Sequence, residues 1–106
     1  MNWKVSFYNK KVFDETYKFP KGIIANFLHI IELIEEFGPF LGMPHVKALG
    51  KGLFEIRAKG KEGIGRSLFC ALKNNEINIL HSFIKKTQKT PKKEMDLAIK
   101  RMKEVL

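Results

Sequence analysis

Arg57 and Arg66 have the spacing that most directly points to chemistry. In the stretch Leu53-Phe54-Glu55-Ile56-Arg57-Ala58-Lys59 successive side chains of a strand point to opposite faces, so Glu55, Arg57 and Lys59 share one side. Across a turn at Gly60 to Gly63, Arg66 stands early in the next strand, where hairpin geometry brings it beside Arg57. Two guanidiniums side by side repel, and the arrangement makes sense with an anion such as a phosphate between them. Farther on, Lys85, Lys86 and Lys89 lie where the last strand runs out towards a helix and form a cationic rim. Such donors suit an anionic partner such as a phosphate. The same residues would also serve as a solvated basic face. Against that reading, every segment delivering a basic residue neighbours the next in the expected sheet.

Other reactive side chains have plainer readings. His81 is the one histidine near the rim; within an apolar strand it reads as a satisfied core residue or as an acid-base group. His45 beside Pro44 belongs to a loop and His29 to a helix. The three are far apart and show no ligand spacing, so no metal site and no cofactor are expected. Cys70, the single cysteine, sits mid-strand as a small buried hydrophobe and leaves no disulfide to form, which fits a reducing cytoplasm. Trp3, Phe7 and the Ile/Phe stripe of the second helix read as core.

These residues need elements to position them, and 106 residues with 44% hydrophobic and 29% charged side chains are enough for one folded domain spanning 1–106. Trp3 to Tyr8 alternates as a strand does. Asn9 can cap a short helix with Val12, Phe13 and Tyr17 on one face. Ile23, Phe27, Ile30, Ile31, Ile34 and Phe37 mark a second helix ending at Gly38-Pro39, and the two helices read as a hairpin. Gly50-Lys51-Gly52, Lys59 to Gly63 and Lys73-Asn74-Asn75 then separate four strands, Val46–Leu49, Leu53–Lys59, Ile64–Leu72 and Ile77–Ile84. Connections this short imply an antiparallel meander. Thr90-Pro91 reads as an N-cap and first helical residue. The helix that follows carries Met95, Ala98, Ile99, Met102 and Val105 on one face and Lys92, Lys93, Lys100 and Lys103 on another. The expected class is α+β with the order β-α-α-β-β-β-β-α.

The net charge of +9 is not evenly spread. Before His45, five basic and five acidic residues balance; from His45 onward fifteen basic face six acidic. A neutral packing half and a basic working half follow, with nucleic acid as the leading partner. No stretch approaches a membrane span and the N-terminus lacks a leader pattern, so a soluble cytoplasmic protein is expected.

Leu53-Phe54-Glu55-Ile56-Arg57, Gly65-Arg66 and the run Leu80-His81-Ser82-Phe83-Ile84-Lys85-Lys86-Thr87-Gln88-Lys89-Thr90-Pro91 resemble the HigB-like branch of the RelE/ParE toxin superfamily. The resemblance covers most of the chain and implies a RelE-like fold. It also implies the toxin of a type II toxin-antitoxin pair, an endoribonuclease that cuts mRNA on the ribosome. Its implied partners are mRNA, the ribosome and a cognate helix-turn-helix antitoxin. Carried over, Arg57 and Arg66 match the phosphate-contacting basic positions and Lys85 or Lys86 the basic position after the last strand. Lys59, Lys89, Lys92 and Lys93 would bind RNA, and His81 stands among the catalytic candidates. Some relatives carry a catalytic tyrosine near the C-terminus, whereas the tyrosines here are Tyr8 and Tyr17, so the resemblance carries over no such acid. Two alternatives stay open: a ParE-like toxin that inhibits DNA gyrase without cutting RNA, and a small basic RNA-binding protein.

Overall fold

Alternating bulky and polar residues build β1 (Lys4–Phe7), and Asn9 then turns the chain into α1 (Lys10–Tyr17). The Asn9 side chain accepts a hydrogen bond from the Val12 amide at 2.9 Å, satisfying one of the amides a helix start leaves over. α2 (Lys21–Phe37) follows and stops at Gly38, whose φ of +91° belongs to glycine. Four strands come next: β2 (Val46–Gly50), β3 (Leu53–Gly60), β4 (Gly63–Leu72) and β5 (Glu76–Lys85); α3 (Lys92–Val105) closes the chain. The computed structural model describes residues 2–85 and 89–106, and Lys85 by its backbone alone. Lys86, expected in the cationic rim, lies outside the described residues.

The element order is the expected one. The sheet runs β1-β5-β4-β3-β2, with β2 to β5 an antiparallel meander and β1 added parallel to β5 at the edge. Its faces are covered separately. Ile23, Phe27, Ile30 and Ile34 of α2 and Val12 of α1 pack on Ile56, Ala58, Phe69, Ile77 and Ile79. Ala98 and Met102 of α3 pack on Leu53, Leu68, Cys70 and Leu80 on the opposite face. The two N-terminal helices occupy different strands, α1 on β5 and β1, α2 chiefly on β3 and β4. On α1 only Val12 of the expected apolar trio is buried; Phe13 and Tyr17 stay half-exposed and stack on each other at 4.5 Å.

Two local departures from regularity shape what lies above the α3 face. Leu68 pairs with His81 but Phe69 pairs with Ile79, so Leu80 is an extra residue in β5. Strict alternation would send His81 inward with Ile77 and Ile79; the bulge swings it to the α3 side, beside Leu80. Secondly, Thr90 does not cap α3. Pro91 takes the N-cap position and, having no polar side-chain atom, offers no cap hydrogen bond; the Thr90 hydroxyl is engaged by a carboxylate of the sheet. Among the described residues no helix is long and apolar enough to cross a membrane.

Candidate functional site

The turn Lys61-Glu62 pairs Gly60 with Gly63, and counting back along the ladder sets Arg57 directly opposite Arg66, as expected from the hairpin. Glu55 stands two residues before Arg57 on the same face and diagonal to Arg66, within about 7–8 Å across the ladder. Its Oε1 accepts from Arg57 Nη1 at 3.2 Å and from Arg66 Nη1 at 3.1 Å. Its Oε2 accepts from the Thr90 hydroxyl at 2.8 Å. The anion expected between the two arginines is therefore supplied by the chain itself.

Depth separates the two arginines. Glu55 is 0% and Arg66 1% exposed, whereas the Arg57 side chain retains 12%. Arg66 is fully buried, and Arg57 reaches the surface. Two guanidiniums share one carboxylate, which leaves one positive charge in excess at a largely dry site, where a further anion gains more than it would in bulk water. Arg57 Nε is buried with no hydrogen-bond partner among the described residues, a donor not used by the internal network.

Gly65 lets this cluster be backed closely. A Cβ there would stand 2.7 Å from Ile23 Cγ2 and 2.9 Å from Phe19 Cε2, so the start of α2 rests on bare backbone next to Arg66. Behind the sheet, the hydroxyls of Thr16, Ser82 and Ser67 form a buried chain with spacings of 2.7 and 2.8 Å. β4, which bears Arg66, is thus braced from the face opposite the cluster.

His81 stands in the row of Glu55, with Leu68 between them. Its Nε2 is 2.6 Å from Glu94 Oε1, its ring stacks on Phe83 at 5.4 Å between centroids, and 12% of the side chain is exposed. Thr90 and Glu94 thereby tie the beginning of α3 to the sheet at two points, on Glu55 and on His81. Of the remaining predicted residues, Lys59 is exposed at the end of β3, where its amide donates to Asn26 Oδ1 at 2.7 Å. Lys92 is 88% exposed and pairs with Asp96 at 3.0 Å; Lys89 and Lys93 are exposed. Lys85 ends β5 opposite Ile64, two pairs beyond Phe83 and Arg66. Among the described residues no group of three or more His, Cys, Asp or Glu side chains converges.

Sequence reasoning placed Glu55 on the correct face without giving it a role, and it missed Thr90 and Glu94 as partners of the site. The signal for Glu55 was present: an acidic residue at i−2 from one arginine falls on the same side as both. Lys47 was also missed. It is the cross-strand partner of Glu55 and with Lys89 and Lys92 rims a cleft between β2 and α3.

Solved structures with this architecture include the archaeal RelE–RelB complex from Pyrococcus horikoshii, at 24% identity and TM-score 0.59 over 79% of this chain and 96% of that one. A double arginine-to-alanine mutant of Escherichia coli toxin RelE in the free state matches at 12% identity and TM-score 0.60, over 96% and 99%. The YoeB–YefM complex from Staphylococcus aureus matches at 14% identity and TM-score 0.57, over 81% and 100%. At such identities the likeness establishes the fold, which is RelE-like. Comparison with curated proteins finds no significant match. The family described as "Phage derived protein Gp49-like (DUF891)" matches residues 14–103, from within α1 almost to the end of α3, and the chain belongs to that family.

Proposed function

We propose that the chain is the toxin of a type II toxin-antitoxin pair, of the HigB-like kind, and acts as an endoribonuclease on mRNA at the ribosome in the cytoplasm. The observation that carries this reading is the Arg57–Glu55–Arg66 cluster, a preorganised cationic site with one arginine at the surface, on a RelE-like fold. Similar folds occur in structures of RelE with RelB and YoeB with YefM, which supports an antitoxin as partner. We assign it the helix-turn-helix type.

In the proposed reaction the 2′-oxygen of the RNA attacks the adjacent phosphorus and loses its proton. The P–O5′ bond breaks, and the 5′-oxygen leaves and takes up a proton. The products are a 2′,3′-cyclic phosphate and a 5′-hydroxyl. Charge accumulates on the non-bridging oxygens in the transition state. Arg57 answers it directly, with Lys85 and Lys86 as further cations, and Arg66 acts through Glu55 as a positioning residue. Each transition-state donor is worth on the order of a hundredfold in rate. His81, held by Glu94, is the group of the cluster suited to moving a proton.

The test is induction of the chain alone, with growth, reporter-mRNA cleavage and the chemistry of the new ends as readouts. Arg57→Ala is expected to reduce cleavage roughly 100-fold and to keep its fold, because the Glu55–Arg66 pair remains. A fully toxic Arg57→Ala that still cuts mRNA removes the site assignment, and growth arrest without cleavage moves the gyrase-binding reading to the front. Ends bearing a 5′-phosphate exclude the 2′-oxygen mechanism.

A further inference from the structure

β2 is an edge strand of the sheet and α3 packs on β4 and β5, and between β2 and the start of α3 lies a cleft of about 420 Å³. Its lining is Lys47 and Leu49 of β2, Lys89 and Thr90 before α3, and Lys92 and Met95 of its first turn. Three lysines from two stretches of chain, Lys47 on β2 and Lys89 and Lys92 around the start of α3, converge there, Lys92 being paired with Asp96 at 3.0 Å, and no acidic residue is among its described lining. Leu49 and Met95 give it an apolar floor. The cleft is large enough to hold a small organic ligand, and its make-up, cations at the rim over an apolar base, fits a group that is anionic at one end and flat and apolar at the other.

The cleft also shares a wall with the cluster already described. Thr90 lines it and donates its hydroxyl to Glu55, and Lys47 is paired across the ladder with Glu55. Lys47 is therefore diagonal to Arg57, about 7–8 Å away along one face, within the reach of successive phosphates on one strand. We propose that this cleft is a nucleotide subsite: its lysines hold a phosphodiester next to the one at Arg57, and Leu49 and Met95 lie against the sugar and base. The proposal rests on the ribonuclease reading and deepens it by giving Lys47, Leu49 and Met95 a part in holding the RNA.

The subsite is tested by fluorescence anisotropy with a labelled 2′-O-methyl oligouridylate of ten nucleotides, which cannot be cut by its own 2′-oxygen, against the full chain from 50 to 200 mM salt. Lys47→Ala and Lys92→Ala are each expected to flatten the log-log salt slope by about 0.7. The advantage of the parent chain over either variant should then shrink about 2.6-fold across that range. Leu49→Ala should weaken binding with the slope unchanged, and Lys11→Ala, on α1 behind the sheet, should change neither. Thermal unfolding of each variant confirms that the fold is retained. If Lys47→Ala and Lys92→Ala bind like the parent chain while mRNA cleavage in cells is intact, the subsite is wrong and the ribonuclease reading stands. If binding depends on the lysines and no cleavage occurs in cells, the ribonuclease reading falls and a nucleic-acid cleft remains. Displacement of the oligonucleotide by polyglutamate at equal charge concentration, with Leu49→Ala silent, overturns the subsite in favour of an acidic peptide.

Discussion

Replacing Glu55 by glutamine separates charge from shape. The amide retains one oxygen to accept from Arg57 and Arg66, and its NH₂ can donate to a rotated Thr90 hydroxyl, so the three hydrogen bonds have counterparts. Only the negative charge is lost. It is the anionic partner of two guanidiniums, one of them 1% exposed, and removing one member of a buried ion pair costs about 3–5 kcal/mol. Domains of this size are stable by about 5–15 kcal/mol, and each kcal/mol moves the melting temperature of a 60–100-residue domain by about 4–8 °C. Even the lower ends multiply to a fall of about 12 °C for Glu55→Gln. The assay is circular dichroism at 222 nm on purified protein, in parallel with Glu55→Gln/Arg66→Met, in which the buried cation is removed as well. The double variant should regain part of the loss, because the uncompensated charge, not the missing hydrogen bond, is what costs. A fall below about 4 °C, roughly 1 kcal/mol, would refute the view that this carboxylate holds the arginines together.

Further outcomes follow from burial and from close approach. Gly65→Ala, whose new methyl would press on Ile23 and Phe19, should cost about 1–3 kcal/mol by overpacking; a denaturant midpoint equal to the parent's shows that α2 yields freely there. The Cys70 thiol is raised above its ordinary value by burial, so little thiolate forms near pH 8. Iodoacetamide should label the native chain at roughly a tenth or less of the rate in urea, and equal rates would place Cys70 at the surface.

Arg57 and Arg66 were legible because a hairpin is arithmetic: once Gly60 faces Gly63, every pair on the ladder is set, and period-two alternation fixes the face. Alternation says nothing about depth. Arg66 is buried and Arg57 keeps part of its side chain exposed, a difference set by contacts between segments far apart in sequence that no local pattern encodes. Tertiary contact likewise turned Thr90 from a helix cap into a partner of Glu55, although Thr-Pro is a sound local signal for a helix start. His81 shows the complementary failure. The bulge at Leu80 reverses the facing of all that follows it in β5, so a reading that alternates strictly from Ile77 puts His81 in the wrong layer. Both departures bring side chains onto the single face where α3 meets the sheet, and the two ties of α3, Thr90 on Glu55 and Glu94 on His81, are formed there. Propensity and pattern set the scaffold, and the site arises where tertiary contact overrides them, which is where functional chemistry is expected to concentrate.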